Sequence, residues 1–134
     1  MNKIIATVAE IQSCDSLHIV KFDFKGQTLS MMSLDIGDDI KPGSRVELVT
    51  KASQVAIAKN FIGEVSYSNQ LDSVIESVEN GQLLSSVKLR FFDTVLESII
   101  TLSSSQKMDL KVGDKVTAFI KASELSIGGE VLDD

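Results

Sequence analysis

Val49-Thr50-Lys51-Ala52-Ser53-Gln54-Val55-Ala56-Ile57 returns 70 residues later as Phe119-Ile120-Lys121-Ala122-Ser123-Glu124-Leu125-Ser126-Ile127. The turn before it returns at the same spacing, Lys41-Pro42-Gly43-Ser44-Arg45-Val46 against Lys111-Val112-Gly113-Asp114-Lys115-Val116. Self-similarity at a fixed period marks one folding unit used twice. The openings also match, Asn2–Val8 against Asn60–Val65, but at a separation of 58. The second copy is therefore expected to carry extra residues between Tyr67 and Glu76, and the first to be about two residues shorter before Pro42. This gives two domains, 1–59 and 60–134.

Within each copy the apolar residues alternate. Val20, Phe22 and Phe24 share one face of a segment, as do Val46 and Leu48, and Val116, Ala118 and Ile120. Period two predicts half-buried strands. Lys25-Gly26, Pro42-Gly43, Asn80-Gly81 and Gly113-Asp114 punctuate them. Many short strands at such spacing predict an all-β barrel or sandwich. Asp35–Ile40 and Ser103–Leu110 read as single helical turns. Asn69–Glu79 places Leu71, Val74, Ile75 and Val78 at helix-like spacing, which leaves a short amphipathic helix or a capped loop open.

Composition narrows the function. Of 134 residues 43% are hydrophobic, enough for a packed core. Aromatics are only 5%, without Trp, and the net charge is −6. A nucleic-acid binder wants a basic surface and stacking rings, so direct nucleic-acid binding is disfavoured. The first copy carries seven basic and seven acidic residues, the second six and twelve. Cys14 stands alone, so no disulfide forms within the chain. The apolar run Ile4–Ala9 is too short for a signal peptide, and no stretch approaches a membrane span. A cytoplasmic protein is expected, with no membrane contact.

Ile100-Thr101-x-x-Ser104, Leu110-Lys111-x-Gly113-Asp114-x-Val116 and Ile120-Lys121-Ala122-x-x-Leu125, in that order, resemble the Mop-type molybdate-binding domain, one of the TOBE group. Asn60-Phe61-Ile62-Gly63 is similar to the family's opening, with the Gly one place early. The first copy matches at Asn2-Lys3-Ile4, Gly43-x-x-Val46 and Lys51-Ala52-Ser53, but has Ser33 and Ile36 where Thr and Ser are expected, and Cys14 for a Gly. The resemblance implies two tandem five-stranded barrels of the oligonucleotide/oligosaccharide-binding (OB) type with short helical turns. It also implies binding of molybdate or tungstate between domains or subunits, hence a homo-oligomer, dimer or trimer. The sequence shows no helix-turn-helix and no Walker loop, so a free-standing protein is expected rather than a repressor or importer domain.

Molybdate is a dianion with four acceptor oxygens and nothing to donate, so its site needs convergent donors and some positive charge. Lys51-Ala52-Ser53 and Lys121-Ala122-Ser123 offer an ammonium, a small residue beside the backbone, and a hydroxyl. The plainer reading is of solvated lysines at strand ends. Thr101 and Ser104 place two hydroxyls at the start of a helical turn, where they either meet an anion or cap the turn. In the first copy only Ser33 remains there, beside Asp35, so the copies are expected to contribute unequally. Lys59 precedes Asn60 where the resemblance implies an anion-reaching basic residue; the alternative is a linker lysine.

His18 has no second His or Cys near it in sequence, so no metal site is expected except for metal carried as an oxyanion. No base is identifiable for Cys14, and no carboxylate pair has catalytic spacing, so the protein is not read as an enzyme. Asp38-Asp39 and Asp133-Asp134 read as solvated, and Met31-Met32 as strand filling. Storage or buffering of molybdate or tungstate is the leading function. An anion-sensing regulatory module acting through a partner protein is the alternative, and an oligonucleotide-binding barrel the third.

Overall fold

The structure is a computed structural model and describes residues 1–131; Asp133-Asp134 lie outside the described residues. Among the described residues, ten strands form two five-stranded sheets. The strands are β1 (Asn2–Cys14), β2 (Leu17–Phe24), β3 (Gln27–Ser33), β4 (Arg45–Thr50), β5 (Ala56–Ala58), β6 (Asn69–Asn80), β7 (Leu84–Phe91), β8 (Thr94–Thr101), β9 (Lys115–Ile120) and β10 (Ser126–Glu130). A six-residue helix, α1 (Leu102–Lys107), follows β8, and 3-10 turns span Ala52–Gln54 and Ala122–Glu124.

Alternation explains the strands. In β1, Asn2, Ile4, Ala6 and Val8 are buried while Lys3 and Ile5 are exposed. The same period runs through β6, where Asn69, Leu71, Ser73 and Ile75 point inward. Asn69–Glu79 is therefore a strand, neither helix nor loop. Two residues disguise it. Ser73 is polar yet buried, its hydroxyl donating to the Leu71 carbonyl at 2.9 Å, and Val74 is apolar yet 41% exposed. Asn69, not Asn60, is the counterpart of Asn2: Asn2 opposes Thr50 and Asn69 opposes Ile120 at the same corner of each sheet. With that register the expected insertion near residue 70 disappears. The separation is 67 through β6–β8 and widens to 70 only across α1. The first copy has no helix at 35–40, because its connection there is three residues shorter than the one that holds the six-residue α1.

Each long strand serves two partners. β1 pairs with β4 over Asn2–Thr7 and with β2 over Thr7–Cys14, bending at a bulge between Val8 and Glu10. β6 does the same with β9 and β7, bulging between Ile75 and Ser77. A bulge bends and twists the strand, which is what curls a sheet toward a barrel. The repeated Lys-x-Gly turn docks on that bulge. Gly43 N–H donates to Val8 O and Gly113 N–H to Ile75 O, each at 2.8 Å. Both glycines hold φ above +90°, which a side chain would oppose, hence their place in the repeat.

The two barrels exchange their last strands. The first sheet runs β10-β4-β1-β2-β3 and the second β5-β9-β6-β7-β8. So β10, from the second copy, completes the first sheet, and β5, from the first copy, completes the second. Two asparagines fasten the crossing. Asn2 accepts from Glu97 N–H and donates to Glu97 O, both at 2.7 Å. Asn69 accepts from Ser30 N–H at 2.7 Å and donates to Ser30 O at 2.9 Å and Ile120 O at 3.1 Å. Equivalent Phe24 and Phe91 stack on each other at 5.2 Å, so the halves meet about an approximate two-fold axis. The linker covers an outward ring, with Phe61 and Tyr67 lying against buried Phe119.

Candidate functional site

The two Lys-Ala-Ser steps fold alike. Lys51 (φ −73°, ψ 144°) and Lys121 (φ −67°, ψ 147°) are extended, and each carbonyl accepts from the N–H three residues on at 2.9 Å. Val55 and Leu125, both 2% exposed, then pin the chain to the core. Because the next strand crosses over, each step is seated on the other copy's barrel: turn 52–54 packs on β8, and turn 122–124 packs on β3. The Val55 carbonyl accepts from Ser98 Oγ at 2.5 Å on that seat.

Lys51, Ser53, Lys121 and Ser123 are exposed, and Ala52 and Ala122 half-buried. Among the described residues, no ion pair or hydrogen bond engages the Lys51 or Lys121 ammonium or the Ser53 or Ser123 hydroxyl. These are donors without protein acceptors, the state a donor-poor oxyanion requires.

The other candidates are differently placed. Thr101 caps α1: its hydroxyl accepts from Ser104 N–H at 3.1 Å and donates to Ser104 Oγ at 3.0 Å. Capping thus occupies the Thr101 hydroxyl. Ser33 closes a local turn, donating to Asp35 O at 2.7 Å and accepting from Asp35 N–H at 3.2 Å. Through β3 and β8 its counterpart is Ile100, and Leu34, not Ser33, stands where the second copy has Thr101. A cavity of about 290 Å³ opens beside Ser33, between Asp35–Ile40 and Leu125–Ile127, in the half that lacks a helix.

Lys59 is a clamp. Its ammonium donates to Met108 O and Asp109 O, each at 3.0 Å, and pairs with Asp114 at 3.1 Å. Its three hydrogens thus have three acceptors at the C-terminal end of α1, where orphan carbonyls need a cation. Asp114 is held below the ordinary carboxylate range, first by the Lys111 N–H and then by Lys59. Lys111 is pushed up by Asp109.

Three features went unnoticed in the sequence. Asn2 and Asn69 stand at inward strand positions, a signal that a polar contact is made there. Thr50, next to Lys51, is 3% exposed and its Oγ1 has no partner among the described residues, where the second copy has Ile120. Gln54 and Glu124 occupy equivalent positions, but only Gln54 folds back, its Oε1 accepting from Lys51 N–H at 3.4 Å. A groove of about 450 Å³ along Asn60, Phe61, Asp72 and Lys115 contains none of the candidate residues. His18 Nδ1 lies 2.7 Å from Ser13 Oγ, and no cluster of three His, Cys, Asp or Glu side chains occurs among the described residues. No described helix is long and apolar enough to cross a membrane.

Curled five-stranded sheets, a Lys-x-Gly turn on a bulge and a Lys-Ala step at the strand end place this protein among tandem OB-like barrels. The TOBE domain family matches residues 66–127. A probable molybdenum-pterin-binding protein of Haemophilus influenzae is 32% identical over 68 residues, covering 50% of this chain and 99% of that protein. The cytoplasmic molybdate-binding protein ModG, solved with molybdate bound, has the same fold, with a TM-score of 0.88 and 24% identity over 96% of this chain and 95% of that one. A molybdate-binding protein from Sporomusa ovata is 31% identical, covering 53% of this chain and 100% of its own, with a TM-score of 0.45. The chain belongs to the Mop family of TOBE-domain proteins, as a tandem pair.

Proposed function

We propose that this protein binds molybdate, and tungstate with it, through its two Lys-Ala-Ser steps, and stores or buffers the anion in the cytoplasm. The observation that carries this is the pairing of the steps. Both have the same backbone, both are seated across the strand exchange, and both present an ammonium and a hydroxyl without a protein acceptor. Its family relative and the fold neighbour ModG are named for binding molybdenum-pterin and molybdate respectively. On this reading the first repeat unit ends near Lys59 and the second begins near Asn69, the counterpart of Asn2, with the intervening residues as linker. A single chain supplies one ammonium and one hydroxyl per step, too few for four oxygens, so the sites are completed between chains of a dimer or trimer. The net charge of −6 does not forbid a local dianion site, because salt screens charge beyond roughly 8–10 Å.

Thermal unfolding with molybdate, tungstate, sulfate, phosphate or no anion at matched ionic strength tests the reading. An anion at ~100 times its dissociation constant adds about 2.7 kcal/mol. Stabilisation by molybdate and tungstate alone is expected, and it should be lost on Lys51→Ala together with Lys121→Ala. Equal shifts with all four anions would reduce the sites to a generic patch.

A regulatory module that passes anion occupancy to a partner is the second reading. The strand exchange favours it, because each step sits on the opposite barrel and ligand there bears on both halves. An oligomeric state that changes with molybdate would distinguish it from storage.

A further inference from the structure

Superposing the two copies in sequence shows where the equivalent steps differ. Lys-Ala-Ser is common to both. Thr50 stands opposite Ile120 before the Lys, and Gln54 opposite Glu124 after the Ser. Gln54 turns its Oε1 to the Lys51 N–H at 3.4 Å, which leaves the carboxamide NH2 as the free end beside that lysine. Thr50 Oγ1 is buried and has no partner among the described residues, so it lies in the core and away from the exposed Lys51 ammonium. The second step lacks the Gln54 amide. Ile120 is apolar, and Glu124 puts a carboxylate, an acceptor with nothing to donate, in the first turn after Lys121.

We infer that the two steps are unequal oxyanion sites, with the Lys51 step the tighter one and residues Gln54 and Glu124 setting the difference. The inference rests on the oxyanion reading of the two steps. It reverses the ranking that the hydroxyl count at Ser33, Thr101 and Ser104 suggests, because Thr101 is occupied in capping α1. A dianion with four acceptor oxygens gains from an amide NH2 and is repelled by a carboxylate. The repulsion grows with the dianion's two charges and is reduced by water and salt. A three- to tenfold separation in affinity is the scale to expect from one such replacement.

Isothermal titration of the protein with molybdate tests this, using Gln54→Glu, Glu124→Gln, Lys51→Ala and Lys121→Ala. The wild-type protein should show two classes of site. Lys51→Ala should remove the tighter class and Lys121→Ala the weaker. Glu124→Gln should tighten the weaker class three- to tenfold, and the gain should shrink as salt is raised. Gln54→Glu should weaken the tighter class by a similar factor. Gln54 and Glu124 are half-buried and lie in short turns, so equal unfolding temperatures without anion should accompany these changes. If each lysine variant removes a class while Gln54→Glu and Glu124→Gln shift neither, this inference fails and the sites stand. If Lys121→Ala removes the tighter class, the ranking is wrong. If neither lysine variant changes the isotherm, the oxyanion reading fails and takes the inference with it.

Discussion

Replacing Asn69 with Ala should be among the most damaging single substitutions in the chain. Its side chain is fully buried and makes three hydrogen bonds, at 2.7, 2.9 and 3.1 Å. Two go to Ser30 on β3, the outer strand of the first sheet, and one to Ile120 on β9 of the second. Truncation leaves the Ser30 N–H, the Ser30 carbonyl and the Ile120 carbonyl short of partners. An unpaired buried group costs about 1–3 kcal/mol, and partial relaxation brings the total to about 3–5 kcal/mol. That is a large fraction of a typical stability of about 5–15 kcal/mol. With about 3–4 °C lost per kcal/mol at this length, unfolding should fall by roughly 10–18 °C. Asn69→Asp, nearly isosteric, should do no better at neutral pH: it keeps an acceptor for Ser30 N–H but loses both donors and buries a charge. Urea unfolding followed by circular dichroism measures the loss. A cost below about 1 kcal/mol for Asn69→Ala would refute the idea that this amide fastens the two barrels. Asn2→Ala removes two bonds from a 7% exposed residue and should cost about half as much.

Other perturbations address separate parts of the argument. Ending the chain after Leu125 removes β10 from the first sheet, so hydrogen exchange should speed up in β4 while β9, paired with β5, stays protected. Residues 1–59 or 60–134 expressed alone should each lack a strand, and neither should unfold cooperatively. Asp114 has a folded pKa below its unfolded value, so its stabilising contribution is present above the ordinary carboxylate range and is lost as pH falls through the folded value. Lys59→Met should flatten that acid limb in unfolding midpoints taken between about pH 2 and 6. Glu130 behaves oppositely: its hydrogen bond to the Asp39 carboxyl raises it, so its contribution is full at low pH and fades as pH rises through the folded value. Glu130→Gln should therefore raise the unfolding midpoint at neutral pH more than at pH 4.

The sequence by itself determined the repeat, the all-β class and the family. These follow from local rules. Gly43 and Gly113 are required by positive φ at a turn, Val55 and Leu125 by burial, and strand faces by alternation. Each of those signals lies within a few residues and survives in one dimension. Register was harder. Asn60 resembles Asn2 as a letter, but Asn69 is its equivalent, and only pairing with β9 distinguishes them. Ser73 buried and Val74 exposed inverted the pattern of β6, because a satisfied serine can lie inward. Tertiary structure alone decided that β5 and β10 change barrels, since a strand's partner is chosen by contacts far away in sequence. That exchange seats each Lys-Ala-Ser step on the opposite copy. It also sends Lys59 to the end of α1 and leaves Lys51 and Lys121 open, although all three are lysines beside a strand end. Which lysine is spent on its own fold and which stays available depends on the acceptors that the rest of the chain brings within reach.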